Sequence, residues 1–178
     1  MVRAIPLIEG QVMVSSAVQA LGAAVRGIRE ADLKALPLVA DNIRFGTLDG
    51  FDQAGGLAIG SRLANMVRIN VGDPLTIISP RGATTPFGTA PRSKTYQVTT
   101  IFELGMAEYD KTMMFMPLEE AQRYFSKNGE VDILEVIISD PEAVEAVSAR
   151  IRGETGPTIN VTDWRQRNET FFTVLEVE

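Results

Sequence analysis

An α+β fold in two lobes is what this chain of 178 residues predicts. Three observations lead there. Strand-like and helix-like segments interleave without settling into a βαβ repeat. Hydrophobic residues make up 45% of the chain, enough to build a packed core. Gly46, Gly50, Gly55 and Gly56 crowd one turn-rich passage, which marks a boundary between lobes. The outer segments, about 1–48 and 130–178, are expected to form one lobe around an inserted, strand-rich lobe at 49–129.

Taken in order, Val2–Ile8 and Gln11–Ser15 read as two strands or one bent strand with Gly10 between them. Ala23–Ile28 reads as a strand, and Glu30–Leu36 as a short helix closed by Pro37. Ser61–Val67 is a short helix carrying Leu63, Ala64 and Val67. Val71-Gly72-Asp73-Pro74 turns the chain into the strand Leu75–Ser79. Tyr96, Val98, Thr100 and Phe102 alternate with polar neighbours along a half-buried strand, Tyr96–Glu103. Met113–Met116 is a short buried strand, and Pro117 opens the helix Leu118–Phe125. Val131–Ser139 is the strongest strand pattern in the chain. Asp140-Pro141 starts a helix that aligns Val144, Val147 and Ile151 and that Gly153 ends. Thr158–Thr162 is a last strand. Trp164–Glu178 reads as a helix capped by Asp163. It carries no Gly, Pro or basic last turn, and so is expected to run on toward a membrane segment, the alternative being an ordinary docked terminal helix.

Composition removes several function classes. The chain has no Cys and no His, so thiol nucleophiles, disulfides, His- or Cys-bound zinc and a Ser-His-Asp triad are excluded. With 17 Lys+Arg against 23 Asp+Glu the net charge is -6, which argues against a nucleic-acid partner. No apolar run is long enough to span a bilayer, and Met1 leads straight into Val2–Ile8 without a signal peptide.

The remaining chemical motifs have bland readings. Gly55–Ser61 has the glycine spacing of a phosphate loop but lacks the Lys before Ser61, and a tight strand-to-helix turn accounts for it better. Glu119 and Glu120 fall in a first helical turn, where carboxylates suit the helix dipole; the rival reading is an acid/base pair. Glu108, Tyr109 and Asp110 read as a polar loop, Met113, Met114 and Met116 as core, and Trp164 as a lobe anchor. No cofactor site, metal site or catalytic residue emerges.

One passage resists a bland reading. Between Leu75–Ser79 and Tyr96–Glu103 lie sixteen residues, PRGATTPFGTAPRSKT, far longer than a hairpin loop needs. Pro80, Pro86 and Pro91 stiffen it, and Phe87 beside Gly88 sits near its middle. Arg81, Arg92 and Lys94 form a basic collar on an acidic chain. An apolar tip on such an arm fits a partner's pocket; the alternative is Phe87 folded back on its own lobe.

Several segments, in this order, resemble the lipoprotein-releasing permease family, related to the MacB and FtsX permeases. They are Gly60–Ala64, Val71–Asp73, Leu75–Gly82, Thr85–Gly88, Pro91-Arg92, Tyr96–Val98, Met116–Gln122, Thr162–Arg165 and Asn168–Phe172. The resemblance covers essentially the whole chain. It implies a MacB-like periplasmic domain of a cell inner-membrane permease from a Gram-negative bacterium. A membrane-proximal α/β lobe (Porter-like) would carry a β-rich one (Sabre-like) with a protruding hairpin, the hook, at 80–91.

In that family the hook binds the periplasmic lipoprotein chaperone LolA. Its counterpart is Pro80, Arg81, Thr84, Thr85, Pro86, Phe87, Gly88, Thr89, Ala90 and Pro91, followed by the holding residues Arg92, Ser93 and Lys94. A basic residue that the family places before the hook falls near Thr76. The other implied partners are the cytoplasmic ATPase LolD, where ATP hydrolysis would reside, a second permease subunit and the lipoprotein cargo. Tyr109–Gln122 is more like the hookless subunit, which implies a hybrid type that pairs with itself or with a LolE-like partner. The alternatives are a related permease in efflux or signal transmission, and a carboxylate hydrolase built on Asp110, Glu119 or Glu120.

Overall fold

The structure, a computed structural model, describes the backbone at residues 3–85, 88–127 and 129–163, and the side chains there outside 80–90. Helices and strands are both present, as an α+β chain requires. The described residues fall into two compact units, one of Ile5–Glu135 and a smaller one of Arg3–Ala4 with Val136 onward. Within the larger unit, the first two strands share a sheet with the central segment.

The strands are β1 (Arg3–Ser15), β2 (Ala20–Ile28), β3 (Ile43–Gly46), β4 (Leu57–Gly60), β5 (Pro74–Thr85), β6 (Gly88–Phe102), β7 (Met113–Pro117) and β8 (Ile133–Ile137). They form one mixed sheet in the order β2-β7-β4-β6-β5-β1-β8, with β3 paired to β6 and β1 also paired to β2. β4–β6 and β2–β7 are parallel. Gly10 does not split β1, which runs unbroken from residue 3 to 15.

Alternation along the strands feeds two cores on opposite faces. Ile8, Val12, Val14, Leu57, Ile59, Met114 and Met116 point into the first, under α4 (Ser61–Val67) and α6 (Leu118–Phe125). Ile5, Leu7, Ala58 and Phe115 point into the second, which α1 (Glu30–Lys34), α2 (Pro37–Ala40) and α3 (Phe51–Ala54) close with Leu33, Val39 and Phe51. β6 changes sides part-way. Leu57 faces Val98 but Ala58 faces Thr100, so Thr99 is an extra residue, a bulge. Tyr96, Val98 and Ile101 therefore serve the first core and Phe102 the second, which strict alternation did not foresee.

Some sequence expectations are corrected. Pro37 opens α2 at its first turn instead of merely closing a helix. The expected loop at Glu108–Asp110 is α5 (Ala107–Thr112), whose Asp110 is 1% exposed and accepts the Leu104 N–H at 2.7 Å. The Gly55–Ser61 passage, expected to be a tight turn, instead holds all of β4, which runs directly into α4 at Ser61; a Cβ at Gly60 would lie 2.3 Å from the Asp110 carbonyl oxygen, so close packing explains that glycine.

In the smaller unit, Asp140 accepts the Glu142 N–H at 3.0 Å and opens a 3-10 turn into α7 (Val144–Thr155). Gly153 does not end that helix; Gly156, with φ +71, does. Residues 158–162 form no strand, and Arg152 ties this stretch down through the Val161 carbonyl at 2.9 Å. The expected terminal helix with Trp164 lies outside the described residues. No helix among the described residues is long and apolar enough to cross a membrane.

Candidate protein-docking site

β5 and β6 pair along most of their length, from Pro74 opposite Gln97 to Thr85 opposite Gly88. The passage expected to be a loop is thus mostly a two-stranded ladder. Main-chain pairing satisfies backbone groups that an irregular sixteen-residue loop would have to leave to water. Neighbours mark where the sheet ends and the arm begins. β1 meets β5 only at Thr76–Ile78, and β3 and β4 meet β6 only at 98–102. Beyond Ser79 and Arg92, no other described strand pairs with the hairpin.

A bulge lies at that border. Ser79 faces Arg92 and Ala83 faces Ala90, which leaves Pro80, Arg81 and Gly82 opposite Pro91 alone. Proline cannot donate to a ladder and is tolerated at such bulges, so Pro80 and Pro91 sit where pairing is already interrupted. Arg81, Thr84 and Thr85 lie on the β5 strand, and Gly88, Thr89 and Ala90 on the β6 strand. Pro86 and Phe87, the expected tip, lie outside the described residues.

Just below the bulge, α6 clamps the root. The Tyr124 hydroxyl is 3.1 Å from the carbonyl oxygens of both Ile77 and Arg92, to either of which it can donate, and it takes a backbone hydrogen bond from Ser79. Burial pushes its pKa up. Arg92 returns the contact by donating to the Tyr124 carbonyl. One turn earlier on α6, Glu120 is only 7% exposed. It accepts from Lys94 Nζ at 2.5 Å and from the Tyr96 hydroxyl at 2.8 Å on one oxygen, and its other oxygen is ion-paired with Arg123 at 3.1 Å. Burial alone would raise the Glu120 pKa, but the hydrogen bonds from Lys94 and Tyr96 and the nearby cations outweigh it and hold it below the usual value. Tyr96 moves upward, through burial first and then the Glu120 carboxylate.

Of the expected collar, then, Arg92 is half-buried against α6, Lys94 is ion-paired with its side chain 53% exposed, and the Arg81 side chain lies outside the described ones; Pro91 and Ser93 beside them are exposed. Sequence reasoning missed the clamp itself: Tyr96, Glu120, Arg123 and Tyr124. The first-turn position that suits both carboxylates to the helix dipole does not distinguish buried Glu120 from exposed Glu119 beside it. The one available signal was spacing, since Glu120 and Tyr124 stand four apart and share a helix face with Ala121.

At the other end of β6, a cavity of about 490 Å³ opens between α4 and β3. Its two charged groups, Arg44 and Glu103, pair with each other at 2.5 Å. Phe45, 66% exposed, stands at its rim.

No family model matches the chain. A transmembrane protein of the lipoprotein-releasing system, LolC of Neisseria meningitidis serogroup B, is 26% identical over 98% of this chain and 43% of its own length. LolC of Xylella fastidiosa is 26% identical over 88% of this chain and 38% of its own length. This chain is similar to LolC over most of its length. It spans less than half the length of these LolC relatives. Among solved structures, the periplasmic region of MacB from Actinobacillus actinomycetemcomitans matches 98% of this chain and 76% of its own, with a TM-score of 0.57 at 14% identity. The extracellular domain of the noncanonic ABC-type transporter YknZ from Gram-positive bacteria matches 89% of this chain and 78% of its own, with a TM-score of 0.58 at 10% identity. The fold is of the MacB and YknZ type.

Proposed function

We propose that this chain is the periplasmic domain of an inner-membrane ABC-transporter permease that releases outer-membrane-destined lipoproteins. It hands them to the periplasmic chaperone LolA, which the β5–β6 arm recruits. The observation that carries the reading is the arm itself: a paired hairpin that outruns every neighbouring strand and is braced at its root by α6. The similarity to LolC supports the transport process. ATP hydrolysis falls to a separate cytoplasmic subunit, LolD, and a second permease subunit, LolE-like or a further copy, completes the transporter. The division into a membrane-proximal lobe and an inserted lobe belongs to the same proposal.

The docking chemistry follows from the residues at the tip. Pro86 and Phe87 enter an apolar hollow in the chaperone, and a fully buried Phe contributes about 1.5–3 kcal/mol. Transfer requires release, so the affinity is expected near micromolar, about -8 kcal/mol. The arm's unpaired strand edges offer backbone groups to the partner as well. Phe87→Asp is expected to weaken chaperone binding at least about tenfold, or ~1.4 kcal/mol, in titration calorimetry, with the melting temperature unchanged. Equal binding by the variant contradicts the reading. A relative acting in efflux or signal transmission is the second reading, favoured by the MacB-type fold; such a domain would leave the lipoprotein chaperone unbound.

A further inference from the structure

We infer that Glu120 is an internal stand-in for an acidic partner: it holds Lys94 while the arm is empty and yields it to a carboxylate on the docked protein. This deepens the docking function proposed above and rests on it.

The argument is one of satisfied charges. Removing one partner from a buried ion pair is costly when it strands the other. Glu120 is not stranded when Lys94 leaves. Its first oxygen keeps the Tyr96 hydroxyl at 2.8 Å, and its second keeps Arg123 at 3.1 Å. Lys94 is the member built to move. Its side chain is 53% exposed, and its flexible stem lays Nζ 4.9 Å from the centre of the Tyr96 ring. Arg92 differs. It is half-buried and donates to a main-chain carbonyl of α6, so moving it would dismantle the root.

The two cations therefore divide the work: Arg92 braces and Lys94 exchanges. On a chain of net charge -6, a cation released only at the arm's root would favour a carboxylate-rimmed partner arriving in that one orientation. While the arm is empty, the same cation is neutralised and does not recruit acidic proteins at random.

A double-mutant cycle with chaperone binding as the readout tests this. Lys94→Ala is expected to weaken binding less than about twofold in the wild-type chain, where its gain is offset by leaving Glu120. In a Glu120→Gln background the same change is expected to cost about tenfold, and Glu120→Gln alone is expected to speed association at low salt. Glu119→Gln removes an equal charge from the exposed neighbour and is expected to leave the Lys94→Ala effect unaltered. An equal cost of Lys94→Ala in wild-type and Glu120→Gln chains overturns the inference. The NMR signal of the Lys94 side chain provides a test without any substitution at 120. It should shift as chaperone saturates the wild-type chain; saturation with an unmoved signal removes this inference alone. A wild-type chain that binds no chaperone takes the docking function down with it.

Discussion

From Val98 to Phe102, β6 has β4 on one side and β3 on the other, and Val98, Thr100, Ile101 and Phe102 are buried. From Gly88 to Arg92 the same strand has β5 alone among the described strands. Between the two, at Arg92, Lys94 and Tyr96, it is gripped by side chains of α6, which also reach Ile77 on β5. One strand is thus an anchor at one end, a clamped root in the middle and an arm at the other end. The difference shows how a hairpin is held where it leaves its sheet. Burial at the far end fixes the strand's direction, and a few polar contacts at the root fix the point where it leaves the sheet. A two-stranded ribbon on its own is marginal in water, so the arm depends on both.

The comparison predicts effects that shrink from the anchor to the clamp. Phe102 is fully buried, with its ring centre 5.4 Å from that of Phe115. Phe102→Ala is expected to cost about 3–5 kcal/mol of stability, read as a lower denaturant midpoint. A loss under about 1 kcal/mol would mean that the anchor is not where the strand is held. Tyr124→Phe keeps the ring and deletes the hydroxyl at the root. It should cost about 1 kcal/mol and raise amide exchange at Ser79 more than at Val98. Uniform exchange along β6 would erase the distinction between root and anchor.

Acid gives the smallest effect. The Glu120 carboxyl is held below its ordinary value of 4.5, so its ion pairs contribute fully above that pH and are lost as pH falls through the lowered folded value. Exchange at the root should therefore be unaffected by Glu120 from pH 7 down toward its ordinary value of 4.5 and should rise only at pH below that value. In Glu120→Gln that rise should be absent.

The sequence carried the anchor better than the root. Helices at 61–67 and 118–125 and the strand at 113–116 follow from periodicity and from Pro117, because their apolar faces are local patterns. The length and prolines of 80–95 marked the arm as unusual. Its pairing was hidden, since Pro80 and Pro91 argue against a ladder unless a bulge receives them. α3 was hidden in a glycine-rich passage that reads as turns, and β3 just ahead of it, because four-residue elements are too short to show a period. The clamp was illegible for a different reason. Lys94 and Glu120 are 26 residues apart, and nothing local distinguishes a carboxylate that a distant strand will cover from the solvated one beside it.

The most direct test of the central claim is site-specific photocrosslinking to the purified lipoprotein chaperone from position 87 on the arm and from position 45 beside the cavity at the other end of β6. A docking arm predicts strong crosslinks from 87 and background from 45. Equal crosslinking from both positions, or none from 87 at saturating chaperone, would contradict it.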